Sequence, residues 1–198
     1  MPLTEPESFV RTAGPRTPPG CYDIDRRHSR VELRSPLPWS RGGPGEFTDF
    51  AGRIHVDGAA SGGIGVYVCA HTGSLRSATA RRDRVLTGPD VLDSAVFPML
   101  SCRFEHFGNS GGTARRRARG HLFIKDLELP VQASFRLDEA GSDAMGARLR
   151  LSLTTEFDPA DWGVSWRIPV RRAVTVWERT RLLLTLSASR SPDPRLAS

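Results

Sequence analysis

A chain of 198 residues has the length of one domain, and 38 % hydrophobic with 25 % charged residues suits a folded globular protein better than a disordered or membrane-spanning one. The formal charge of +6 raises nucleic acid as a partner. Yet Arg26, Arg41, Arg53, Arg81, Arg116, Arg136, Arg150, Arg167 and Arg179 fall in separate segments, and the densest run, RRRAR at 115–119, comes with no recognition helix or base-stacking platform.

Residues 1–19 are proline-rich and lack an apolar core run, so they read as a disordered arm and not as a signal peptide; a cytoplasmic product is the expectation. GCYDIDRRHSRVEL at 20–33 reads as a strand, a polar corner and a second strand, with Tyr22 and Ile24, then Val31 and Leu33, alternating with polar neighbours. Phe50 to Val56 and Gly65 to His71 are the next strands, the latter alternating Val66, Val68 and Ala70 against Tyr67 and Cys69. SATARRDRVLTGPDVLDS breaks the two-residue period and predicts one short helix near 79–86, with a turn near 90–94 after a Gly-Pro stop. Strands resume at Met99 to Phe107, Ala118 to Ile124, Glu128 to Leu137 (after a turn at Lys125-Asp126), Ala147 to Phe157, Val174 to Trp177 and Leu182 to Ala188. The tail at 189–198 reads as flexible.

About eight or nine strands and one helical insertion describe an all-β domain, either a sandwich or a closed barrel. A strand as long as 147–157, with Leu149, Leu151, Leu153, Thr155 and Phe157 on one face, suits a tall tilted barrel better. A Leu-bearing face of the helix ARRDRVL would cover one mouth of such a barrel while its charges face water.

Three groups of residues invite a chemical reading. Asp23 or Asp25 with His28 would form a base and its orienter, but no nucleophile stands at a spacing that places it on the imidazole. In the plainer reading Asp25, His28 and Ser29 fix the corner by hydrogen bonds. His28, His55, His71, His106 and His121 sit on separate segments, never in close pairs, so no metal is expected. Cys21, Cys69 and Cys102 form neither a disulfide framework nor a ligand cluster, and read as buried thiols. GGPGEF (42–47) and ASGGIG (60–65) do not open a helix after a strand, so their glycines read as turns and barrel corners, not as a phosphate loop.

In order along the chain, these segments resemble the YceI-like family. Tyr22, Ile24, Asp25, His28, Ser29, Val31 and Leu33 stand where the family opens with Tyr-x-Ile-Asp-x-x-His-Ser-x-Val-x-Phe. Gly45, Phe47, Phe50 and Gly52 follow its Gly-x-Phe-x-x-Phe-x-Gly element, and Arg82, Asp83 and Leu86 its Arg-Asp-x-x-Leu, with Asp90 and Asp93 downstream. Phe97-Pro98 stands for Tyr-Pro; Gly120, Leu122, Ile124, Asp126, Leu127, Pro130 and Val131 trace the family hairpin; Asp161, Trp162 and Gly163 stand for Asp-Phe-Gly. The likeness spans about residues 20–188.

The resemblance implies an eight-stranded antiparallel lipocalin-like barrel that holds an isoprenoid or other alkyl-chain lipid without a catalytic residue. Val31, Leu33, Phe104, Leu122, Ile124, Phe135, Leu149, Leu151 and Leu153 would then line the interior and touch the ligand. The implied partner is an apolar small molecule or lipid, with nucleic acid outside the expectation, transient contact with a membrane surface compatible with it, and a dimer among the oligomeric states left open. Pro36, Leu37, Val85 and Pro159 replace polar or cationic family positions. This favours a less polar ligand or, as the alternative, a ligand-free interaction or stress-response module filled by Phe104, Phe123, Phe135, Leu151 and Phe157. An enzyme using His28 with Asp23 or Asp25 is the third reading.

Overall fold

The structure, a computed structural model, describes residues 18–34, 43–58, 63–105, 116–143, 146–164 and 179–191. The two-residue apolar alternation becomes strands β1 (Gly20–Ile24), β2 (Arg30–Arg34), β3 (Gly45–Phe47), β4 (Phe50–Val56), β5 (Ile64–His71), β6 (Leu75–Arg76), β7 (Met99–Glu105), β8 (Arg116–Ile124), β9 (Leu127–Asp143), β10 (Gly146–Phe157) and β11 (Thr180–Arg190). The one α-helix among the described residues is α1 (Ala80–Thr87).

Every pairing is antiparallel, and the order β1-β4-β5-β7-β8-β9-β10-β11 closes on itself through β11–β1. Closure removes the sheet edges. β2, β3 and β6 continue β1, β4 and β5 past a corner and pair in the order β11-β2-β3-β6. The barrel is therefore eight-stranded, with three of its strands bent.

The bends lie side by side and are stitched by polar groups. Asp25 N donates to Ser187 O on β11 at 2.8 Å, and Arg26 Nη1 reaches Asp49 Oδ1 at 2.7 Å. Ser74 Oγ accepts from Asp49 N at 3.0 Å and donates to His71 O at 2.7 Å. Thr72 Oγ1 donates to Phe97 O at 2.8 Å. A bent strand frees backbone groups from its ladder, and these side chains satisfy them.

α1 begins at Thr79, whose hydroxyl accepts from Arg82 N, and Asp83 reaches back to Ser77 N at 2.7 Å. Of its residues only Leu86 is buried. With Val91 and Leu92 from the following turns it joins the core, and the insertion links β6 to β7.

The helix and strand positions follow the sequence reading in the main; the two-residue β6 is additional, β8 and β11 each start two residues earlier than expected, and three further differences have physical reasons. β3 is only three residues long, too short to show a period. β9 runs on to Asp143 because the register against β10 shifts between Arg150 and Leu151: Leu137 and Glu139 are paired and Asp138 between them is not. Such a bulge resets the alternation, so in the sequence the strand reads as ending where its parity changes. β11 extends through Arg190 and takes two residues of the expected tail. Val174 to Trp177, His106, Phe107, Arg41, Arg167, Pro36 and Leu37 lie outside the described residues.

Gly120 shows why one barrel position admits no side chain. A Cβ there would collide with the carbonyl oxygen of Arg103 and the ring of Phe104 on the neighbouring strand, so the Phe104 ring takes the space that Gly120 leaves.

Candidate functional site

The interior of the barrel is the first candidate. Strand parity turns Val31, Leu33, Phe104, Leu122, Ile124, Phe135, Leu149, Leu151 and Leu153 inward, and all are between 0 and 8 % exposed. The ring wall is completed by residues the sequence reading did not single out, chiefly Tyr22, Ile54, Leu182, Leu184 and Leu186. The alternation of Leu182, Leu184 and Leu186 was the signal available for them. The buried hydroxyl of Thr155 on this wall donates to Gln132 O at 2.9 Å. Phe123 is a correction: it falls on the outer parity of β8 and is half-buried there, so it cannot fill the interior. Arg116 shares the inward parity of Ala118 and Leu122 and is half-buried near the β9–β10 end. Arg190 has the same parity as Ala188 and Leu186 at that end but is exposed, with its guanidinium beside Gly20.

The corner at 25–29 is the second candidate. Asp25 Oδ1 accepts from Arg27 N at 2.9 Å and Oδ2 is 2.7 Å from His28 Nδ1. The His28 hydrogen bond, then the Arg27 N–H, hold the Asp25 carboxyl below the usual carboxylate range. Ser29 Oγ donates to Ser187 O at 3.2 Å and accepts from Ser187 N at 2.9 Å. Asp23 points elsewhere, to Arg53 Nε at 3.0 Å. Of the two proposed orienters, then, the structure brings only Asp25 to His28. The Ser29 hydroxyl is committed to the β11 backbone and not to the imidazole, so the pair is an acid and an imidazole with no nucleophile bonded to it among the described residues. The arrangement sews the corner to β11.

Among the described residues the histidines do not converge. His55, His71 and His121 lie on the outward parity of three different strands, and among the described residues no group of three or more His, Cys, Asp or Glu side chains could hold a metal ion. Cys102 alone of the thiols is fully buried, which pushes it up to about 12, while Cys21 and Cys69 are half-buried on the outside. The expectation of three buried thiols is corrected for those two, because odd and even positions of a barrel strand face opposite ways.

Residues 22–188 match the YceI-like domain. The chain belongs to the YceI-like family. This YceI-like barrel superposes on BcnA of Burkholderia cenocepacia with a TM-score of 0.68 at 16 % identity, covering 84 % of this chain and 100 % of that one. A YceI protein of Campylobacter jejuni gives 0.61 at 15 % identity, over 74 % and 84 %. A polyisoprenoid binding domain of Saccharophagus degradans, implicated in plant cell wall breakdown, gives 0.61 at 9 % identity, over 86 % and 98 %. No curated protein sequence matches the chain. At these identities the likeness is one of fold.

The family positions now have visible work. Trp162, in the Asp-Phe-Gly place, donates from Nε1 to Leu122 O at 3.2 Å and Leu127 O at 3.1 Å, which pins the 159–162 turn to the β8–β9 hairpin. Its ring meets Phe157 edge-on, with centroids 5.3 Å apart. Gly163 ends that turn at φ 65°, a left-handed conformation suited to glycine. Of the substituted family positions, Pro159 is buried in the turn, whereas Val85 on α1 is exposed.

Proposed function

We propose that the barrel binds or carries an apolar alkyl-chain or isoprenoid-like ligand and performs no chemistry on it. The observation that carries this reading is the inward apolar wall, continuous from Val31 and Leu33 on β2 to Leu149, Leu151 and Leu153 on β10. Long apolar interiors with few polar groups are the usual form of a lipid site. Membership of the YceI-like family and the likeness to a polyisoprenoid binding domain support it. Arg116 and Arg190, inward in parity near the β9–β10 end, favour an amphiphile whose acidic head stays at that rim. Three free thiols suit a cytoplasmic setting for this carrier.

One observation favours the ligand-free module instead. The inward side chains are almost wholly buried against one another, so a ligand has to displace or reorder them. Organic extraction of the purified protein followed by mass spectrometry decides between the two, together with titration of a fluorescent alkyl probe. Stoichiometric recovery of an alkyl or isoprenyl species, or saturable probe uptake, supports the carrier. An empty extract with no probe uptake selects the filled barrel. A fatty acid that binds no better than its alcohol removes the role given to the two arginines.

A further inference from the structure

On the outer wall, away from the interior and from the corner, the ladder assembles a thiol, an imidazole and a carboxylate. Cys21 on β1 and His55 on β4 are direct cross-strand partners, and both have outward parity, since Tyr22, Ile54 and Val56 beside them are buried. Cys21 Sγ lies 3.5 Å from His55 Nδ1. The other ring nitrogen, Nε2, lies 3.0 Å from Asp57 Oδ1. Asp57 stands two residues beyond His55 on the same face, and its backbone N–H donates to Gly63 O at 2.8 Å. That bond fixes the base of the loop, and the missing side chain of Gly63 leaves room for the second carboxylate oxygen.

We infer that Cys21, His55 and Asp57 form a surface site for thiol–disulfide exchange, at which the barrel takes up a low-molecular-weight disulfide as a mixed disulfide on Cys21. The Asp57 carboxylate, 3.0 Å from Nε2, favours by its charge the proton on that nitrogen, which leaves the Nδ1 lone pair facing the thiol, the tautomer a base requires. The Cys21 proton passes to Nδ1 and the thiolate attacks one sulfur of the disulfide. A bond forms between that sulfur and Cys21 Sγ, and the S–S bond of the reagent breaks. The departing thiolate recovers the proton from Nδ1, so one thiol and one disulfide become one mixed disulfide and one free thiol. The step is reversible, and it needs no oxidant beyond the disulfide.

The protein carries its own comparisons. Cys69 is half-buried on β5, beside Tyr67 and with no imidazole opposite: its ladder partners are Ala51 and Ser101. Cys102 is buried, with its thiol pushed up to about 12. Reaction of the folded protein with an aromatic disulfide, followed by mass spectrometry of the three cysteine peptides, is therefore the test. Cys21 is expected to react at least about tenfold faster than Cys69 at neutral pH, and Cys102 last. His55→Ala is expected to slow Cys21 by about tenfold while leaving the Cys69 rate unchanged, which separates loss of the base from loss of the fold. Asp57→Asn acts through the imidazole and is expected to slow Cys21 by a smaller factor. An unchanged Cys21 rate in His55→Ala, or a wild-type Cys21 no faster than Cys69, overturns the inference. Neither result bears on what fills the barrel.

Discussion

Leu151→Ala tests the register of the barrel wall most directly. Leu151 is 0 % exposed and stands in mid-β10 between Leu137 on β9 and Leu186 on β11. The truncation removes three carbons, and at about 0.8 kcal/mol for each buried methylene the transfer loss alone is ~2.4 kcal/mol. The flanking strands are held by continuous ladders and cannot close around the vacancy, so a cavity contribution adds to it, and the expected total is about 2–5 kcal/mol. Arg150→Ala, one residue away on the outer face, loses only an exposed bond from Nε to Ser187 Oγ at 3.2 Å and is expected to cost under about 0.5 kcal/mol. Urea melts of both variants, on protein stripped of lipid, measure the two shifts at constant slope. Equal small shifts refute the reasoning, because a slip of one residue exchanges the inner and outer faces of the whole strand.

Gly120→Ala drives a methyl group into the Arg103 carbonyl and the Phe104 ring and is expected to cost about 1–3 kcal/mol or more in the same melts; a neutral result would show that Phe104 can leave that space. Trp162→Phe keeps the edge contact with Phe157 but strips two carbonyls of their indole donor, with an expected loss of about 1–3 kcal/mol measured by thermal unfolding. The folded pKa of Asp25 lies below its unfolded one, so its contribution is fully present above the ordinary carboxylate range and fades as pH falls through the folded value. Asp25→Ala is therefore expected to flatten the acid limb of a stability-versus-pH curve slightly, the effect being small because the carboxyl is solvent-exposed; an unchanged acid limb counts against the His28 and Arg27 bonds as its cause.

Much of the wall was legible because a barrel strand writes its two faces into alternate residues. Phe50 to Val56, Gly65 to His71 and Ala147 to Phe157 all show that period, and the polar crowding of 23–29 marks a corner. What escaped detection was set by partners distant in sequence. The bulge at Asp138 is defined only against Arg150 and Leu151. The inward turn of Arg116 is hidden because RRRAR looks uniformly charged, and parity alone separates Arg116 from Arg117. The Cys21–His55–Asp57 array joins β1 to β4, so no spacing along the chain announces it. Phe123 was misplaced for the opposite reason: an aromatic was taken as interior on its chemistry, although its neighbours Leu122 and Ile124 had already claimed that parity.

The motifs that identify the family build the container and leave the cargo open. Asp25, His28 and Ser29 bind the corner to β11; Trp162 and Gly163 fasten the turn beneath the β8–β9 hairpin; Gly120 makes room for Phe104. Each satisfies backbone groups or solves a close approach, and none places a hydrogen-bonding group in the middle of the interior. Apart from Tyr22, Cys102 and Thr155, the wall is left chiefly to Leu, Ile, Val, Phe and Ala, whose interactions are non-directional and select by length and width. A barrel built on this plan can exchange cargo by altering only the residues at its ends, without disturbing a motif. Here the ends differ in character: Trp162 is buried against the β8–β9 hairpin at one, while Arg116, half-buried, and Arg190, exposed, have inward parity near the other. On the proposed carrier function, selectivity among alkyl ligands is expected to respond to substitutions at Arg116 and Arg190 and to tolerate volume-conserving exchanges among Leu149, Leu151 and Leu153, as read by titration of alkyl probes of graded length.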